Sequence, residues 1–232
     1  MLVFGIDTAS KIASTAVMDA ENQKILSEMN SDGKLSHSEN LMPMIDSTLR
    51  CAGVLPAEID LFATVTGPGS FTGIRIGVST TKGLAFGSSA DNCVGVSSLC
   101  ALAHNFRGYE GGILVLPVID ARRKQVYNAI FENLECVKGD RIITADALEA
   151  ELNAEFAGRK VAFVGDGAVM CEQLDFPGIV KVPDMLKRPS AASLCRAAYE
   201  KYKKGGAVHA RALSPAYLIK TQAEREFENG KK

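Results

Sequence analysis

Apolar residues recur along this chain in two rhythms: short continuous runs of strand length, and stripes at helical spacing. "LVFGI" (2–6) predicts a buried strand and "IASTAVMD" (12–19) its hairpin neighbour. The polar "DTASK" between them places Asp7 at the hairpin tip, and Lys24 to Asn30 completes a meander. The period then changes. Met42, Ile45, Leu49 and Ala52 fall on one helical face that stops at Gly53, and Leu41 and Met44 widen it. Asn40 as the N-cap puts Pro43 in the first turn, where its missing N–H is harmless. "DLFATV" predicts a strand that breaks at Gly67-Pro68-Gly69. A helix over 72–86 follows, with Ile74, Val78, Thr81 and Ala85 on one face and Gly73, Gly77 and Thr80 on the next. "NCVGVSS" and "SLCALAHNF" add a short strand and a helix.

A second series starts near Gly112. "ILVLPVIDAR" and "QVYNAIF" again read as strand, polar turn and strand, with Asp120 at the tip. "ADALEAELNAEF" predicts an amphipathic helix, "KVAFVGDGA" a strand ending in glycines and Asp166, and "PSAASLCRAAYEKYKKG" a helix stopped at Gly205. The same order of elements thus occurs twice. It predicts an α/β protein of two duplicated lobes, residues 1–103 and 104–210, with a tail, 211–232, that packs back on the first lobe and frays at its charged end.

With 232 residues, 47% of them hydrophobic, the chain can bury a large core. Its net charge of −1 argues against a protein that grips nucleic acid alone, because neutralising phosphates requires a basic excess. Any contact with RNA is expected to be shared with a partner, and Arg122-Arg123-Lys124 and Lys201 to Lys204 read as solvated surface. The six cysteines form no CxxC unit, "MLVFGIDTAS" lacks the pattern of a secretory signal, and no apolar run is long enough to span a bilayer. The expected location is the reduced cytoplasm.

Strand, glycine turn and helix is how many chains hold phosphates. Yet the phosphate-loop pattern needs Gly-Lys-Ser/Thr where this chain has Gly73-Ile74-Arg75, and the dinucleotide fingerprint needs glycine where Thr72 stands. A tight turn is the commoner use of such glycines. Asp7, Thr8, Gly67, Gly69 and Ser70 remain candidate phosphate contacts of a vestigial kind. Asp7, Asp120 and Asp166 admit either a hydrated cation or a turn-forming role. His37, His104 and His209 are scattered and predict no metal site. Ser70 has no base marked for it. Glycine inside a helix costs up to about 1 kcal/mol relative to alanine. Gly73 and Gly77 therefore imply close approach by another backbone, either the chain's own sheet or a foreign helix.

Together, "FGIDTAS", "SHSENLMPMID", "TGPGSFTGIRIGVSTTKGLAFG", "VIDARRKQVYNAIF" and "GDGA" resemble the TsaB family, also called YeaZ, over nearly the whole chain. The tail departs from the family's Tyr-Leu-Arg, reading Tyr217-Leu218-Ile219. The resemblance implies the duplicated two-lobe fold of actin, sugar kinases and heat-shock proteins (ASKHA, ribonuclease H-like). It implies a non-catalytic scaffold in the machinery that forms N6-threonylcarbamoyladenosine on tRNA. The partners it implies are the catalytic paralogue TsaD, a TsaE ATPase, a second copy of the chain when TsaD is absent, and tRNA only through the complex. No cofactor is expected on this chain; ATP and metal belong to the partners. The metal-ligand positions of TsaD-like chains fall here at Ser98 and Leu102. The family's subunit contact uses the first two helices, which places the partner interface on Leu41, Met42, Ile45, Leu49, Ile74, Gly77, Val78 and Thr81. The rival is a stand-alone ATP-dependent kinase or hydrolase of the same fold, with Asp7, Gly67, Gly69 and Asp166 around phosphates. A metallopeptidase, with no ligand pair, is the weakest reading.

Overall fold

The computed structural model describes residues 1–32, 35–88, 90–109 and 111–218. Its first sheet begins with the predicted meander: β1 (Leu2–Asp7), β2 (Ala13–Asp19) and β3 (Lys24–Ser31), joined antiparallel. Helix α1 (His37–Ala52) then packs on β2 and β3, and β4 (Leu61–Gly67) pairs parallel with β1. Helix α2 (Phe71–Phe86) leads to β5 (Asn92–Ser97), parallel to β4.

Helix α1 starts earlier than the Asn40 cap predicts. Ser36 is the N-cap of a capping box whose other half is Glu39; the Ser36 N–H donates to Glu39 Oε2 at 2.9 Å. Pro43 therefore lies inside the helix, and the Glu39 carbonyl lacks its usual donor. The helix ends, as expected, at Gly53 in the left-handed conformation, φ 68°.

After α3 (Ser98–Ala103) a second sheet forms from β6 (Ile113–Arg122), β7 (Gln125–Glu132), β8 (Glu135–Thr144) and, beyond α4 (Ala145–Glu155), β9 (Lys160–Val164). Its order is β8-β7-β6-β9. Side chains of β6 alternate between two cores. Leu114, Leu116 and Val118 meet α4, whereas Val115 and Ile119 meet Leu99 and Leu102 of α3. Two single-turn helices follow, α5 (Ala168–Cys171) and α6 (Asp184–Lys187).

The chain then returns to the first lobe. Helix α7 (Ala191–Lys203) packs on β1 and β2, and β10 (Val208–His209) pairs with β5. The first sheet therefore reads β10-β5-β4-β1-β2-β3. Ala191, Leu194, Cys195 and Ala198 share one core with Phe4, Ile6 and Val17. Helix α7 and β10 thus join the first sheet, although they fall within the span 104–210 expected to form the second lobe. Helix α3 divides its apolar residues, with Leu99, Leu102 and Ala103 against the second sheet and Ala101 in the first core, whereas the buried stripe of α7 lies in the first core. The described part of the tail packs on the first lobe, with Leu213 in its core and Tyr217 stacked on Phe71 at a centroid distance of 4.9 Å. Ile219 and the charged end lie outside the described residues.

Candidate functional site

The Gly-Pro-Gly turn is packed on both sides by this molecule itself. Gly67 and Gly69 have φ of 123° and 151°, where side chains are disfavoured. A Cβ on Gly67 would come within 2.6 Å of the Ala216 carbonyl oxygen, and one on Gly69 within 2.5 Å of that of Ala9. Ser70 N–H donates to Ala9 O at 2.7 Å, and Ala216 N–H to Thr66 O at 2.8 Å. Ser70 also caps α2, its Oγ accepting from Gly73 N–H at 3.2 Å. Thr8, fully buried, donates its hydroxyl to Gly73 O at 2.8 Å. Thr8, Gly67, Gly69 and Ser70 are thus committed to internal contacts. These contacts are those of a tight strand-to-helix turn.

Between the lobes lies a cleft of about 400 Å³, lined among others by Asp7, Lys11, Ser98, Leu102, Asp120 and Asp166. Of the candidate phosphate contacts, Asp7 alone reaches it; the glycine turn and Ser70 are not among its lining residues. Of the four residues in the kinase reading, the cleft brings Asp7 and Asp166 together, while Gly67 and Gly69 lie outside its lining. Burial raises the pKa of Asp7 to about 6, against the opposing effects of the Ala9 N–H, which donates to its Oδ1 at 3.0 Å, and of the His37 charge. Burial raises Asp166 as well; the Asp120 N–H, bonded to its Oδ1 at 3.1 Å, opposes this, and the Asp120 charge adds to it. Ser98 Oγ is buried beside the cleft without a hydrogen-bond partner, and Leu102 is 3% exposed. A hydroxyl and an alkyl group thus stand at the two positions where the resemblance implies metal ligands in TsaD-like chains. Among the described residues no group of three His, Cys, Asp or Glu is placed to hold a metal.

The predicted interface needs correcting. Leu41, Ile45, Leu49, Ile74, Gly77, Val78 and Thr81 are buried; of the eight, only Met42 is exposed, at 55%. The inward stripe of α1 is Leu41, Met44, Ile45, Thr48 and Leu49; of the predicted face, Met42 turns outward and Ala52 is half-buried. The polar Thr48 counts as inside because its hydroxyl bonds that of Thr15 at 2.7 Å. On α2, a Cβ at Gly77 would strike the Thr8 hydroxyl, so the backbone that approaches closely is this chain's own. The outer face of α2 carries Ser79, Gly83 and Phe86, with Ile76 half-buried, and a Cβ at Gly83 would meet nothing within 4 Å. Beside it α1 presents Met42 and the Asp46–Arg50 ion pair. Only the scarcity of bulky residues along "GVSTTKG" marked that outer strip in the sequence.

A family model described as TsaD, tRNA N6-adenosine threonylcarbamoyltransferase, matches residues 25–227. The tRNA threonylcarbamoyladenosine biosynthesis protein TsaB of Bacillus subtilis is 32% identical over 244 residues, spanning 100% of both chains. The structure of YeaZ from Pseudomonas aeruginosa superposes with a TM-score of 0.75 at 24% identity, covering 94% of this chain and 99% of that one. Component A of (R)-2-hydroxyglutaryl-CoA dehydratase from Acidaminococcus fermentans superposes with a TM-score of 0.54 at 11% identity, covering 88% and 99%. The two-lobe fold is of the type found in actin, sugar kinases and heat-shock proteins, as the family resemblance implies.

Proposed function

The chain belongs to the TsaB (YeaZ) family and takes part in tRNA threonylcarbamoyladenosine biosynthesis, and from that premise we propose that it does so as a non-catalytic subunit. In this reading it docks a TsaD-like catalytic chain through the outer faces of α1 and α2 and holds that chain in a competent arrangement. A TsaE-like ATPase and tRNA join the assembly, and a second copy of the chain takes the same face when the catalytic paralogue is absent. ATP and metal act on the partner subunits. The six cysteines are free, and among the described residues no helix is long and apolar enough to cross a membrane; both fit a cytoplasmic role.

The observation that carries the reading is the chemistry at Ser98 and Leu102. Imidazole at such positions would supply a lone pair to a metal; a hydroxyl without a partner and a leucine side chain do not replace it. The docking face is supported by exposed apolar area on and around the two helices, with Met42 55% and Phe86 58% exposed. Calorimetry of the chain alone against ATP with magnesium tests the division of labour. A flat titration supports it; micromolar binding with turnover by this chain alone would overturn it in favour of the kinase or hydrolase.

A further inference from the structure

We infer that the tip of the β6–β7 hairpin, Arg122-Arg123-Lys124, is a contact surface for the phosphate backbone of RNA. The inference rests on the reading above that the chain works in a tRNA-modifying assembly, and adds which part of this chain touches the nucleic acid. Three consecutive residues there hold left-handed backbone, with φ of 67°, 53° and 61°. Arg122 pairs with Gln125 across the hairpin, so Arg123 and Lys124 form a two-residue turn of the kind that Asn-Gly makes at least cost. Branched or long side chains in that conformation cost conformational free energy, and such outliers persist where the side chains have a use. The neighbouring β7–β8 turn, with φ of 51° and 66°, opens with Asn133, which tolerates the conformation.

All three cationic side chains of the tip are exposed, and none makes an ion pair among the described residues. Other cations at the cleft are neutralised: Lys187 by Glu172 at 2.5 Å, and Arg188 by Asp32 at 3.2 Å and Asp184 at 3.0 Å. The tip is tied to the cleft, because Arg122 N–H donates at 2.7 Å to Oδ1 of Asp120, which lines it. From the first lobe, Lys11 lines the same cleft, exposed and likewise without an ion pair among the described residues. The cleft wall itself carries the carboxylates Asp120 and Asp166, so the unneutralised positive charge stands at the exposed tip, in a chain of net charge −1. Arginine forks match phosphate oxygens in pairs, and a sugar-phosphate chain supplies such anions in series. An acidic protein segment offers the same charge; RNA is favoured because the B. subtilis relative is named for a tRNA modification.

The test replaces the turn by the sequence its backbone prefers, Arg123→Asn with Lys124→Gly. The doubly substituted chain should unfold no earlier than the parent, so a binding defect is not a folding defect. Anisotropy titrations of labelled tRNA with the chain assembled on a TsaD-like subunit should give affinity weaker by roughly 10-fold at moderate salt, and a log–log salt slope shallower by about 1 to 2. Identical affinity and slope would overturn the proposal. So would a variant that loses its protein partner while the RNA contact is unchanged, since that assigns the tip to an acidic protein. Native mass spectrometry of the same mixtures reads the assembly separately: if the unsubstituted chain forms none, the docking proposal fails, and the titration is read on the chain alone, where the same weakening and shallower slope are expected.

Discussion

Thr8 donates its hydroxyl to the carbonyl oxygen of Gly73 at 2.8 Å, and the same hydroxyl occupies the space where Gly77, one turn later, would carry a side chain. The β1–β2 turn is thereby clamped under the first half of α2, and the glycines serve this molecule's own packing. Gly77→Ala should destabilise the fold by about 1–3 kcal/mol, because the added methyl forces apart groups already in contact. Gly83→Ala, on the open side of the same helix, should stabilise it by about 0.5–1 kcal/mol through helix propensity alone. Urea denaturation of the two variants checks both; equal effects would mean that the helix faces are assigned wrongly.

Asp7 provides a pH signature. Its carboxyl is 2% exposed, and its pKa is raised by burial from 3.8 to about 6. The folded state therefore holds this proton more tightly than the unfolded chain. Its contribution to stability is full below about pH 4 and is lost as pH rises through about 6, a swing of about 3 kcal/mol. Asp7→Asn keeps an acceptor for the Ala9 N–H and removes the charge. It should raise stability at pH 7.5 by about 1–3 kcal/mol and flatten the profile between pH 4 and 6. A parent profile that does not decline across that interval, or an asparagine variant less stable at pH 7.5, would contradict the burial of a charged Asp7.

The return of α7 to the first sheet depends on Gly5. A Cβ there would come within 2.7 Å of Cys195 Sγ and 3.0 Å of the Ala191 carbonyl. Gly5→Ala should cost about 1–3 kcal/mol, and Cys195→Ala should recover part of that loss, giving a coupling of about 1 kcal/mol in a double-mutant cycle. Additive effects would show that helix and strand are not in contact. For the same reason a fragment ending at Ala103 should lack a cooperative thermal transition, since α7 no longer covers β1 and β2.

Elements whose apolar runs match one period were legible in the sequence. The β1–β3 meander, α2, the β6–β7 hairpin and α4 stand within a residue or two of their predicted ends. Strand β8 was missed because it is an exposed edge, "ECVKGDRIIT", whose charges and Gly139 leave no apolar face to detect. The start of α1 lies earlier than Asn40 predicts because Ser36 and Glu39 make the stronger capping signature. The larger errors are of another kind. Periodicity reveals that Ile74 and Val78 share a stripe, and glycine spacing reveals that something comes close, but neither says whose atoms lie opposite. Burial by a partner and burial by the chain's own sheet leave the same pattern, so seven interface residues were drawn from the inner faces. The partner of α7 is equally silent, because helix-to-sheet docking across some 190 residues of chain is set by shape at Gly5 rather than by any local motif.

The docking of a TsaD-like chain on the outer α1–α2 face is tested most directly by size-exclusion co-elution. The unsubstituted chain mixed with that partner should elute as one complex. Gly83→Trp and Met42→Asp, both outward-facing, should abolish it while leaving the chain's own fold intact by circular dichroism. Co-elution undiminished by both substitutions would contradict the account.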